Sequence, residues 1–117
     1  MSTSLVDTYA AAWDETDAHA RGLLLEECWA TDGVYVDPTA RAEGRDALSR
    51  HIAGFHAQRP GYRIAVTTSP DGHGPHLRFG WAMKRPDGSV ELEGMDYAEV
   101  DNAGRLTRIV GFFGALR

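Results

Sequence analysis

Glu91 to Gly114 reads ELEGMDYAEVDNAGRLTRIVGFFG, and the fold turns on how this stretch pairs with itself. Two runs of alternating character flank Asp101-Asn102-Ala103-Gly104, a polar turn ending in glycine. That is the signature of a β-hairpin with a loop longer than the two-residue kind. In the first arm the period-two rule places Val90, Leu92, Ala98 and Val100 on one face, and Asp96 shares it. A carboxylate on the apolar side of a strand runs against strand propensity, and such local inconsistencies mark candidate functional positions. Pairing Val100 with Arg105 sets Asp96 opposite Ile109, with Gly111 and Phe113 further along the same face. The other face then carries Met95, Tyr97, Leu106, Val110 and Phe112 beside Glu93, Glu99 and Arg108.

Working outward, the residues before the hairpin also read as sheet. His76 to Lys84 alternates, with Leu77, Phe79, Trp81 and Met83 on one face, and Arg85-Pro86-Asp87-Gly88 is the turn that follows. Tyr62 to Ser69 is a further strand, ending at a Pro-Asp-Gly-His-Gly-Pro loop. Upstream the period changes. Arg45 to Gln58 has helical spacing, with Leu48, Ile52 and Phe55 as its core stripe and Pro60-Gly61 as its stop. Val34 to Asp37 is a short strand halted by Pro38, with Tyr35 and Asp37 pointing the same way, and Thr39 to Gly44 is a loop. A first helix runs from Ser4 to Glu15, capped by Ser4 with Asp7 and carrying Leu5, Tyr9, Ala12 and Trp13 on one side. A second starts at Thr16-Asp17 and reaches about Trp29, with Leu24, Leu25, Cys28 and Trp29 as its apolar side.

Three helices followed by four long antiparallel strands predict an α+β fold: a curved, mainly antiparallel sheet with the helices on one face. A strongly bent sheet closed by helices makes a cone, whose interior suits a small apolar ligand.

The 117 residues allow one domain, spanning 1–117. Apolar residues make up 43% and charged residues 25%, ordinary for a soluble protein. Lys+Arg 12 against Asp+Glu 17 gives a net charge of −5, and without a basic cluster no nucleic-acid partner is expected. Cys28 is alone and forms no intrachain disulfide; it reads as a small buried apolar residue. The first ten residues lack the basic and apolar regions of a signal peptide, and no stretch has membrane-spanning length, so a cytoplasmic protein is expected. His51 and His56 are five apart, on different helix faces, and His73 and His76 sit in a Gly-Pro loop, so no metal site is expected. There is no glycine-rich phosphate loop, and no cofactor is expected.

Several segments carry a family resemblance: the Tyr9 helix, Cys28 to Pro38 (CWATDGVYVDP), Glu43 to Leu48 (EGRDAL), and Gly94-Met95-Asp96 through Gly104-Arg105 to Phe113-Gly114. The chain resembles the nuclear transport factor 2-like superfamily, in its ketosteroid isomerase and polyketide cyclase (SnoaL-like) branch. In ketosteroid isomerases the first helix carries a tyrosine, the first strand ends in an Asp-Pro whose aspartate is the base, and the penultimate strand carries an aspartic acid. Tyr9, Asp37 and Asp96 fall on those positions. The resemblance implies a cone-shaped fold, cofactor-free proton transfer on an apolar carbonyl or polyketide-like compound, and dimers formed through the outer sheet face.

The chemistry can also be stated from the residues. Moving a proton next to a carbonyl needs a base near the carbon and donors at the oxygen, where charge develops. Asp37 can serve as base, the Tyr9 hydroxyl can donate, and Asp96 can donate if burial keeps it neutral. Trp13, Tyr35, Phe55, Phe79, Trp81, Met83 and Phe113 are the expected lining around the substrate. Each position also has a plain structural reading. Asp37 before proline can bond a nearby backbone amide, Asp96 can pair with Arg63 or Arg78, Tyr9 can be core, and the aromatics can fill the cone rather than line it. The functional alternatives are a non-catalytic module binding a ligand or protein in the same cone, or a cyclase, dehydratase or epoxide hydrolase.

Overall fold

A computed structural model describes residues 3–114. Its helices are α1 (Thr3–Asp14), α2 (Ala18–Cys28) and α3 (Arg45–Gln58). Its strands are β1 (Trp29–Asp37), β2 (Ala40–Glu43), β3 (Arg63–Val66), β4 (Asp71–His73), β5 (His76–Lys84), β6 (Val90–Val100) and β7 (Leu106–Phe113). The strands form one sheet in the order β2-β1-β7-β6-β5-β3, with β4 paired to β5 beside β3. All neighbours are antiparallel except β1 and β7, which run parallel. The α+β architecture is therefore the one expected, with more strands.

The additions have local causes. Thr39 to Gly44, expected as a loop, contributes β2, because Asp37 turns the chain through bonds to Thr39 and lets Ala40 pair back with it. The Pro70–Pro75 loop contains β4, which folds onto β5 through the pairs Asp71↔Arg78 and His73↔His76. β1 begins at Trp29, five residues before the expected start, and Trp29 belongs to this strand rather than to the apolar side of α2. The helix stops because Trp29 takes an extended conformation, φ −117 and ψ 126. Its indole lies over Gly33, where an added Cβ would sit 2.6 Å from Nε1. Between Trp29 and Val34 the pairing with β7 shifts, so Thr31-Asp32-Gly33 is a bulge inside the strand rather than a break before it.

Asp17 caps α2 as expected, its carboxylate accepting the Ala20 N–H at 2.9 Å. Ser4 lies inside the first turn of α1 and not at its cap. The core joins Val6, Leu25, Leu48 and Ile52 of the helices to Leu77, Ala98, Leu106 and Ile109 of the sheet. Arg21, only 2% exposed, ties the helices together by donating to the Glu15 carbonyl and the Ser49 hydroxyl. Among the described residues no helix is long and apolar enough to cross a membrane.

The hairpin register differs from expectation. Val100 pairs with Leu106, Glu99 with Arg108, and Asp96 with Gly111 rather than Ile109. Thr107 is the extra residue of a bulge, and Asp101 shapes the loop by accepting N–H bonds from Ala103 and Arg105. Away from the bulge the displacement is two residues, so Asp96 keeps its face and its neighbours Gly111 and Phe113. Leu106, beyond the bulge, changes face. It is buried in the core and is not part of the outer patch with Met95 and Tyr97. Val90 lies past a second irregularity and is exposed instead of sharing the inner face with Leu92 and Ala98.

Candidate functional site

The centre of the sheet sets two carboxylates on either side of one glycine. β7 lies between β1 and β6, so Gly111 has Asp37 on one flank and Asp96 on the other. A Cβ at Gly111 would stand 3.0 Å from Asp96 Oδ1 and 3.4 Å from the Asp37 Cβ. Only a residue without a side chain lets both acids lean over β7 into the same space.

Asp96 is 7% exposed. Its Oδ1 accepts a hydrogen bond from Trp81 Nε1 at 3.0 Å, which leaves Oδ2 to carry a proton. Trp81 reaches it across Gly94, where any Cβ would collide with the indole ring and the Phe112 carbonyl. Burial pushes the Asp96 carboxyl up to about 7; the Trp81 bond opposes this and the Asp37 charge adds to it. The expected alternative partners are engaged elsewhere, Arg63 with Asp14 and Arg78 with Asp71.

Asp37 has the opposite surroundings. Its Oδ2 accepts from the Tyr35 hydroxyl at 2.5 Å, and its Oδ1 accepts from both the backbone N–H and the hydroxyl of Thr39 at 2.7 Å. His51 Nε2 stands 3.8 Å from Oδ2. Burial works against ionisation here too, but the bonds from Tyr35 and Thr39 and the charge of His51 hold the carboxyl below its usual value. The plain turn reading of Asp37 is thus present, and it coexists with a place on the cavity wall.

Tyr9 is 3% exposed, stacked on Trp29 at 5.8 Å and edge-on to Phe79 at 6.3 Å. Its hydroxyl has no hydrogen-bond partner among the described residues. Burial raises the phenol well above its ordinary range, and the Asp96 charge adds to this; the Trp13 side chain acts in the opposite sense without forming a bond of normal geometry. A buried hydroxyl without a partner leaves free energy on the order of 1–3 kcal/mol for any acceptor that reaches it.

Tyr9, Asp37 and Asp96 all line one cavity of about 440 Å³ enclosed by the sheet, α1 and α3. The seven residues expected around a substrate border the same space. Trp13 packs against Tyr35 and Phe55, each at 5.7 Å, on the helical side. Trp81 and Phe113 meet edge to face at 5.8 Å on the sheet side, and Phe79 and Met83 complete the strand wall. The aromatics therefore line the cone and do not fill it. Tyr35 is itself buried, and burial, the nearby Tyr9 and its bond to Asp37 keep the phenol un-ionised. Cys28 lies outside this cavity, and burial pushes its thiol up to about 12.

Three members were not anticipated. His51 lies one turn before Phe55 on α3, and that i,i+4 relation to a core aromatic was the signal that it faces inward. His51 meets the Trp13 ring edge-on at 5.7 Å, and His56 contacts the Trp13 carbonyl through Nε2 at 2.6 Å. Thr39 had no local signal, and Gly111, although read on the Asp96 face of the hairpin, gains its second flank only once β1 becomes the neighbour of β7.

The fold and its internal cavity define an NTF2-like protein. The SnoaL-like domain family matches residues 6–109, and the chain belongs to that family. A candidate isomerase of the SnoaL-like family from Agrobacterium tumefaciens is 35% identical, with a TM-score of 0.91 over 97% of both chains. An NTF2-like protein of unknown function from Exiguobacterium is 19% identical, with a TM-score of 0.74 over 96% of this chain and 99% of that one. A candidate polyketide cyclase from Sinorhizobium meliloti is 20% identical, with a TM-score of 0.72 over 92% of this chain and 93% of that one. At these lower identities the last two speak for the fold alone. A comparison with curated proteins finds no significant match.

Proposed function

We propose that this protein is a cofactor-free enzyme that moves a proton next to the carbonyl of a small apolar or polyketide-like molecule held in the cavity. The observation that carries this reading is one cavity bordered by Tyr9, whose buried hydroxyl has no hydrogen-bond partner among the described residues, by a carboxyl that burial keeps largely neutral below pH 7, and by one held ionised. A carbonyl oxygen fits the first two as acceptor: Tyr9 and protonated Asp96 donate to it as negative charge develops. Asp37 takes the proton from the adjacent carbon and can return it at another, with His51 beside it to favour its charged form. The Agrobacterium relative, described as a candidate isomerase, supports the same reaction class. Nuclear magnetic resonance in deuterated buffer tests this with a panel of β,γ-unsaturated ketones. Deuterium should enter next to the carbonyl, or the double bond should migrate, well above the buffer rate for at least one compound. Buffer-level rates across the panel count against an enzyme and favour a non-catalytic binding module.

A cytoplasmic location for this acidic chain is part of this reading. A homodimer through the outer sheet face also belongs to it. Phe112 is 53% exposed there, near Met95, Tyr97 and Val110. Covering such a patch suits a self-complementary interface. Light scattering at micromolar concentration should give the mass of two chains for the native protein and of one for Tyr97→Glu.

A further inference from the structure

The cavity has a charged wall residue that this chemistry leaves unused. α3 borders the cavity through Arg50, His51, Gly54, Phe55 and Gln58. Arg50 is exposed and borders both this cavity and a second groove between α2 and α3. The other arginines of the described chain are, with one exception, committed. Arg21, Arg45 and Arg105 donate to backbone carbonyls; Arg41, Arg59, Arg63, Arg78 and Arg85 face carboxylates. The exception is Arg108, on the outer sheet face across from Glu99. Among the described residues Arg50 has no hydrogen-bond or ion-pair partner, and it borders the cavity.

Gly54 follows Arg50 by one helical turn. A Cβ there would meet no atom within 4 Å, so packing does not require the glycine, although glycine weakens a helix interior. Its effect is to leave the wall between Arg50 and Gln58 low. Gly22 on α2 is as free of contacts but lies outside the cavity. Ionised Asp37, on the wall of the same cavity, repels an anion, so a negatively charged group on a bound molecule would settle beside Arg50 and away from Asp37. A guanidinium presents paired donors that match a carboxylate.

We propose that the cavity selects amphipathic substrates: a flat apolar ring system bearing the reacting carbonyl, with a carboxylate at its far end that pairs with Arg50. This rests on reading the cavity as the substrate site, and the test separates the two. The probes are 2-acetylnaphthalene, a neutral ketone, and 6-acetyl-2-naphthoate, the same ketone with a carboxylate opposite. Binding is measured by isothermal titration calorimetry. The carboxylate should bind about tenfold tighter at low salt, equivalent to one charge-assisted contact, and the advantage should shrink as salt is raised. Arg50→Gln should abolish the advantage and leave the neutral ketone unchanged, while Arg108→Gln should alter neither. Equal affinities in the native protein, or a preference that survives Arg50→Gln, overturn the assignment while the cavity reading stands. Binding of neither probe overturns both.

Discussion

Asp37 and Asp96 flank the same glycine and face the same cavity, yet their surroundings drive them to opposite states. On the β1 side every contact is a donor: Tyr35, Thr39 and, at longer range, His51 all favour the carboxylate. On the β6 side a single indole N–H serves one oxygen and the rest is apolar, so the neutral acid is favoured. One residue type thus supplies both an acceptor and a donor. What separates the roles is that Asp96 is more deeply buried and has a single donor, whereas Asp37 has bonds from Tyr35 and Thr39.

The largest expected effect falls on the acceptor side. Asp37→Asn removes the proposed base while keeping its shape, so turnover on any substrate identified should fall roughly 10²–10⁴-fold. The far-ultraviolet circular dichroism spectrum should stay native. Undiminished turnover would assign the proton transfer to another group.

The second effect is on stability against pH, where the two acids have opposite signs. Asp96 has a folded value near 7 against an ordinary 3.8, so between those values the folded state holds a proton that the unfolded chain has released. Stability from this group is greatest below pH 4, declines as pH rises toward 7, and is level above. The decline approaches about 4 kcal/mol. Asp37, held below 3.8, contributes stability above that value and loses it as pH falls through its lower folded value. Urea unfolding at pH 4 and pH 8 should therefore show Asp96→Asn gaining on the native protein at the higher pH. An equal offset at both would mean that Asp96 titrates normally.

The smallest effect touches the glycine between them. Gly111→Ala places a methyl group 3.0 Å from Asp96 Oδ1, tighter than normal packing. Overpacking of this kind should cost about 1–3 kcal/mol, read from the urea midpoint. The carboxyl resonance of Asp96 should shift more than that of Asp37. The reverse order would indicate that the strain is relieved toward β1.

The sequence carried the helices and the hairpin because each has a signal within a few residues, a cap or a period; Asp96 stood out as an aspartate out of pattern, whereas Tyr9 and Asp37 were singled out by the family resemblance. What it did not carry depends on distant partners. Gly111 is one more glycine in a strand until β1 docks beside it. Thr39 looks like loop until Ala40 pairs back on Asp37. Leu106 sat on the wrong face because a bulge at Thr107 breaks the alternation, and no local pattern announced it. Arg50 was unremarked because its meaning lies in which other arginines are already engaged.

The parallel pairing of β1 with β7 has a kinetic consequence. Val34 aligns with Arg108 and Val36 with Val110, residues separated by most of the chain. Contacts so distant in sequence close large loops and form late, after local helices and hairpins. Until β1 docks on β7, the two aspartates lie on strands that are not yet joined through Gly111. Assembly of the proposed catalytic pair would then coincide with the last step of folding, so a proton-transfer assay on refolding protein would report completion of the native sheet.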